Sequence, residues 1–400
     1  MTAGTPSYTF DIGLQTQGNC PLMQVDLGDL FMRRCATNLL TLKYCNLGLD
    51  TAYGAFVTVN LDSLIDLQSA TLPYTVSGPD KLYTFQLGDV PPFFSGSIGL
   101  YATVSCDAVS GQTLCNEANI YPDVPCNGGW LGAEITASAE CSGDSVSLTL
   151  RNKGMQDMTA PLNYIVVEDF IMVHDADFQL NAGQTLTMKM PANGSTWRIE
   201  SDQIPGFPAP GFVAAAVEGC GGLVSTGYIN IFGYSDNAIS YDQECGVVVA
   251  SCDPNDKTAI PVGLNDEHII RPNQPIDYKI RFQNTGSDTA FKVVVVDTLS
   301  PLLDPRTLEI GASSHPYHLE IYPGGILHFV FQPIALPDSN VNEVESHGYL
   351  KFKIRQQPDL PDGTVIENTA AIYFDQNAPV FTNTAFHTIG YPFVPYVPLS

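Results

Sequence analysis

The chain has 400 residues and carries 42 Asp and Glu against 17 Lys and Arg, a formal net charge of −25. Such a surface repels phosphate backbones, which argues against nucleic acid as a partner. No apolar run reaches the length of a membrane span, which argues against direct membrane insertion.

The N-terminal stretch "MTAGTPSYTF" lacks a charged n-region and an apolar core, so it reads as the start of an internal or mature fragment. The first clear element is the alternating strand "LLTLKYC". It is followed by the octet "NLGLDTAY", Asn46 to Tyr53, and by a second strand, "GAFVTVNLD". A weaker copy of the same pattern lies in "SVSLTLRNKGMQDMTAPLNYIVVED", with Asn152, Lys153 and Gly154 at its turn. A close copy follows far downstream as "NTGSDTAF", Asn284 to Phe291, between "IDYKIRFQ" and "FKVVVVDTL". The expected structure is a strand–turn–strand corner in which Gly supplies a positive φ and the Asn side chain caps the turn. It recurs because a domain recurs.

Breaks at "PDVPCNGGW" and "SCDPNDK" place domains at 1–126, 127–252 and 253–391, with 392–400 ("…YVPLS") reading as a cut linker. Short alternating segments between turn signals predict an all-β fold of three tandem sandwiches in an elongated arrangement. The ten cysteines end at Cys252 and form no Cys-x-x-Cys or Cys/His cluster, so disulfides and an oxidising compartment are expected rather than zinc. Cys106 and Cys115 flank the turn-like "CDAVSGQTLC" and are the pair most readily bridged locally. The remaining pairings stay open.

The third domain holds "DPNDK", "YKIRFQNTGSDTAFKVVVVDTLSPLLD", "LPDSNVNEVESHGYLKFKI" and "GTVIENTAAIYFDQNAPVFTN". These segments resemble the immunoglobulin-like repeat domain near the C-termini of large secreted proteins of Bacteroidota. That domain is related to the domain-of-unknown-function 11 (DUF11) repeats of bacterial surface proteins. The resemblance implies immunoglobulin-like sandwiches, export by the type IX secretion system with a sorting domain downstream, and an extracellular or cell-surface location. It implies no activity.

Three groups of residues are candidate sites. Asp253, Asn255 and Asp256 put three oxygen-bearing side chains at a domain boundary, and Asp375 and Asn377 of "FDQN" are candidate further donors, so calcium is the cofactor to test. Trp197, Arg198 and Asp202, expected on a turn of the middle domain, are the candidate ligand site. Lys257 near the first strand of the third domain and Asn368 near its last, with Asp297 as a helper carboxylate, have the composition for an intrachain isopeptide bond. The cluster of Ser313, Ser314 and His315 lacks a nucleophile turn and an oxyanion hole, and no catalytic residue is assigned. The reading is a non-enzymatic stalk segment that spaces or assembles an extracellular appendage, with self-association into a filament as one mode. The competing reading is an adhesin that binds glycans or other cell-surface molecules through its middle domain.

Overall fold

The computed structural model describes residues 20–29, 31–79, 81–123, 130–207, 212–222, 227–233, 239–249 and 255–395. Nearly every element in them is a strand. Alternation in the sequence becomes alternation in burial. In Thr37–Asn46, for example, Leu40, Leu42 and Tyr44 point into a core while Lys43 and Cys45 do not. Each fully buried leucine contributes about 1.5–3 kcal/mol, so the pair, with the Tyr44 ring beside it, anchors one strand.

The first sandwich packs one sheet, in the order Met23–Asp29, Thr37–Asn46, Ser95–Val104 and Ile65–Ala70, against a second. The second sheet runs Met32–Arg33, Tyr241–Val249, Thr113–Tyr121, Ala52–Asn60, Leu82–Val90 and Tyr74–Ser77. Val25, Leu27, Leu40 and Leu42 meet Val57, Val59 and Phe85 between them. The middle unit joins Ile135–Ser142, Ser145–Asn152 and Thr185–Pro191 to a larger sheet built on Trp197–Asp202 and Leu162–Glu168. In the third, Lys257–Ile260, Ile276–Gln283, His347–Gln356 and Leu303–Ser313 face the sheet that holds Val293–Thr298 and Ala370–Phe374. Its core is rich in rings, with Tyr278, Phe282, Phe329, Phe331 and Phe352 all buried. A short third sheet carries Val365–Asn368 beside Ala385–Ile389.

Two expectations are corrected. Tyr241–Val249 was assigned to the middle domain by the 127–252 boundary, but it pairs antiparallel with Thr113–Tyr121 and closes the first sandwich. The chain therefore leaves the first sandwich, builds the middle one, and returns. The predicted Cys106–Cys115 bridge is replaced by Cys35–Cys106 and Cys115–Cys245. The reason is register: Cys115 and Cys245 are directly opposite each other on the returning strand. Cys141–Cys220 ties the middle unit, and Cys45 is a half-buried free thiol beside the side-chain oxygen of Gln24.

The tandem order also closes on itself. The first and third sandwiches, far apart in sequence, lie side by side, with Lys43 Nζ donating to the carbonyls of Ile310 at 2.7 Å and Gly311 at 3.3 Å. Small residues permit the approach. A Cβ on Gly28 would fall 2.8 Å from the Tyr349 hydroxyl. At the other end of the third sandwich, Val394–Pro395 adds a short parallel strand to the middle sheet, opposite Ile171 and Met172.

Candidate functional site

The repeated octet is a structural corner, and its asparagine is the working part. Asn46 Oδ1 accepts from the N–H of Gly48 (3.0 Å) and Leu22 (3.1 Å), while Nδ2 donates to the carbonyls of Asp50 (2.8 Å) and Val90 (3.0 Å). Asn152 repeats all four contacts with Gly154, Glu134, Gln156 and Leu180. Asn284 repeats three, with Gly286, Asp288 and Leu336. Each amide thus stitches its own turn to a segment that returns later in the chain. The glycine two residues on is not at positive φ in any copy. In the first two copies it is needed for room, because a Cβ on Gly48 would lie 2.1 Å from the Cys20 carbonyl and one on Gly154 2.4 Å from that of Gly132. In the diverged middle copy, Met158 fills the buried place of Ala52 and Ala290.

Lys257, Asp297 and Asn368 do come together in the third sandwich. Lys257 and Asp297 form an ion pair whose two side chains are both 0% exposed. Burial pulls the Lys257 ammonium below its ordinary pKa, against the pull of Asp297. The ammonium lies 4.4 Å from the centre of the Tyr278 ring and 5.5 Å from that of Phe352. Asn368 is buried beside the Tyr278 hydroxyl, close enough to bias it, yet neither closes a hydrogen bond among the described residues.

The other predicted sites fare differently. Asp253 lies outside the described residues. Asp256 is occupied by a two-pronged ion pair with Arg281, at 2.7 and 2.5 Å. Asn255 Oδ1 accepts from the Gln283 N–H, Asp375 Oδ1 accepts from the N–H groups of Phe291 and Lys292, and the Asn377 N–H donates to the Phe374 carbonyl. Among the described residues no three His, Cys, Asp or Glu side chains gather in a metal-holding group. Trp197 is not on a turn. It is 4% exposed inside a strand, its Nε1 donates to the Pro191 carbonyl at 3.0 Å, and its ring is spent on the middle core. Arg198 is buried and bonded to Glu200 and to the Gly233 carbonyl, whereas Asp202 is exposed at the strand end, so the three do not form one site. His315 Nδ1 lies 2.9 Å from the Ser314 hydroxyl, and the buried carboxylate of Asp297 is held by Lys257.

Sequence reasoning missed the junction between the first and third sandwiches. Lys279 and Lys351 sit directly opposite each other on neighbouring strands, an arrangement that by itself repels. Acids from the first sandwich surround them: Asp29 and Glu244 pair with Lys279, and Glu244 pairs with Lys351 at 2.8 Å. Asp26 and Asp277 lie 3.6 and 3.7 Å from Lys351. Burial pulls the Lys351 ammonium down, but Asp26, Glu244 and Asp277 carry it well above its ordinary value. Burial pushes the Asp242 carboxyl up to about 8, with Lys351 opposing and Asp26 adding to the shift. A cavity of about 190 Å³ lies along this seam, lined by Asp29, Phe31, Glu244, Lys279 and Lys351 among others. The signal was lysine in the middle of apolar strands, "DYKIRF" and "GYLKFK", but only the pairing shows what answers it.

Residues 253–388 match the sequence profile of a domain of unknown function, DUF7619, which covers less than half of the chain. No curated protein matches. Among solved structures, the chain is similar to the major pilin subunit BcpA of Bacillus cereus, at 13% identity and a TM-score of 0.24 over 64% of this chain and 69% of that one. It is similar to a putative membrane anchored protein from Corynebacterium diphtheriae, at 10% identity and a TM-score of 0.25 over 94% and 93%. It is also similar to the collagen-binding domain of a Staphylococcus aureus adhesin, at 11% identity and a TM-score of 0.23 over 36% and 100%. Scores this low leave the function to be argued from the chain itself.

Proposed function

We propose that this chain is a non-enzymatic scaffold segment of a secreted or cell-surface protein, which holds its neighbours at a fixed distance and orientation. The observation that carries the reading is the closure of three sandwiches on one another. A returning strand is clamped by Cys115–Cys245, a buried ionic seam joins the first and third units, and a terminal strand docks on the middle one. Disulfides persist in oxidising compartments, which agrees with an extracellular setting. The buried lysines Lys257, Lys279 and Lys351 are each neutralised by buried carboxylates of the same chain. The exposed apolar residues Leu47, Leu49, Phe93 and Phe94 gather at the Asn46 corner, where the Phe93 N–H bonds the Asn46 carbonyl, and offer a contact surface to a neighbouring part or copy. Export by the type IX route belongs to this same reading and rests on the sequence resemblance.

One observation favours the adhesin reading. A cavity of about 350 Å³ lies between the first and middle units, lined by polar side chains including Glu117, Ser138, Glu140, Arg198 and Tyr241. The test is a panel of glycans and cell-surface proteins, with calcium and with chelator, applied to the folded, oxidised chain. The scaffold reading predicts no saturable binding in either condition. Saturable binding that is lost in Ser138→Trp, which fills the cavity, would replace it with the adhesin reading. Binding that depends on calcium would return the metal to the account.

A further inference from the structure

The Lys257 cluster combines features that an ordinary buried ion pair does not need. Around one lysine and one carboxylate, Asp297 Oδ1, both side-chain polar atoms of Asn368 and the Tyr278 hydroxyl are buried without a hydrogen-bond partner among the described residues. Buried polar atoms are nearly always satisfied, so a knot of four left open at one point asks for an explanation. The fold brings them together deliberately. Asn383 clamps the Lys257 backbone on both sides, accepting from its N–H at 2.8 Å and donating to its carbonyl at 2.9 Å. Two residues further on, Ala385 is the cross-strand partner of Asn368. Asp297 is the cross-strand partner of Ala370, two residues beyond Asn368 on the other side. Three strands from different sheets therefore deliver an amine, a carboxylate and a carboxamide to one dry point floored by Tyr278 and Phe352.

We propose that Lys257 and Asn368 become joined by an intrachain amide between Nζ and Cγ, formed by the protein itself with Asp297 as the proton carrier. Asp297 takes a proton from the Lys257 ammonium and leaves a neutral amine, which burial favours. The amine lone pair attacks Asn368 Cγ, and the carbonyl electrons move onto its oxygen. Asp297 returns the proton to the departing nitrogen. The C–N bond to the original carboxamide nitrogen breaks, Asp297 takes the second proton from the newly bonded nitrogen and passes it to the departing ammonia, which leaves as ammonium, and the new neutral amide remains. No electron is gained or lost, and Asp297 ends as it began. The link would tie the first strand of the third sandwich, Lys257–Ile260, to a strand near its end, Val365–Asn368, and close most of that unit into a covalent ring. This inference does not depend on what the chain binds.

The experiment is intact mass of the full chain after reduction and alkylation, followed by mapping of its peptides. The expected result is a mass about 17 Da below that of the fully alkylated sequence, the loss of one ammonia, and a branched peptide containing both Lys257 and Asn368. Asn368→Ala and Lys257→Arg should each restore the full mass. Asp297→Ala should leave the unjoined peptides even where the protein folds. A wild-type protein of full mass with separate Lys257 and Asn368 peptides would overturn the proposal. So would a loss of about 17 Da confined to one peptide, the mark of a cyclic imide at an asparagine. Because the wild-type map decides alone, a variant that fails to fold does not rescue the idea.

Discussion

A single buried asparagine governs each corner. Replacing Asn46 by Ala removes two acceptor and two donor contacts and leaves the Gly48 and Leu22 amides and the Asp50 and Val90 carbonyls to find other partners. The expected loss is about 2–4 kcal/mol in urea unfolding of the oxidised chain. Asn46→Asp should be no milder, since a carboxylate keeps the acceptors, loses both donors and buries a charge. A loss below about 0.5 kcal/mol would show that the corner closes without its amide. The spacing of Asn, Gly and Ala made these residues legible in the sequence. The role of the glycine was not, because crowding by the Cys20 carbonyl comes from a segment outside the octet. Lys257, Asp297 and Asn368 were legible as chemistry, since a lysine and an asparagine at opposite ends of one domain suggest a pair. Trp197 was misplaced because an indole is equally at home on a turn and in a core, and only the packing of the middle unit decides.

Strands as elements followed from alternation, and their partners did not. "YDQECGVVV" reads as a strand, but nothing local says that it completes a sheet begun before the middle unit. The Cys115–Cys245 bridge makes that return permanent, spanning 130 residues with a whole sandwich inside the loop. Removing it as the Cys115→Ala, Cys245→Ala double variant should destabilise the first sandwich by about 2–5 kcal/mol. It should also raise hydrogen exchange along Tyr241–Val249 and Thr113–Tyr121 before exchange rises in the third sandwich. Equal protection in the variant would mean that the ionic seam and Val248, not the bridge, hold the strand in place.

At the scale of the molecule, the seam between the first and third sandwiches sets a pH response. Asp242, raised by burial to about 8 from 3.8, binds its proton more tightly in the folded state, so its stabilising effect is complete at low pH and lost as pH rises through about 8. Asp277, raised by burial to about 7, acts in the same sense. His387, lowered by burial to about 4 from 6.5, acts oppositely, but only below about 6.5, where unfolded histidine takes up protons. The two acids therefore dominate between about pH 6.5 and 8, and stability should fall across that window. Asp242→Asn retains an oxygen to accept the Leu27 N–H and should flatten the fall, as chemical denaturation at fixed salt would show. The three sandwiches act as one body. Differential scanning calorimetry of the oxidised chain near pH 6.5 tests it most directly, compared with the Lys279→Met, Lys351→Met double variant, which removes both seam lysines. The first and third sandwiches should melt in one cooperative transition in the wild type and separate into two in the variant. Two transitions already present in the wild type, unmoved by the substitutions, would contradict it.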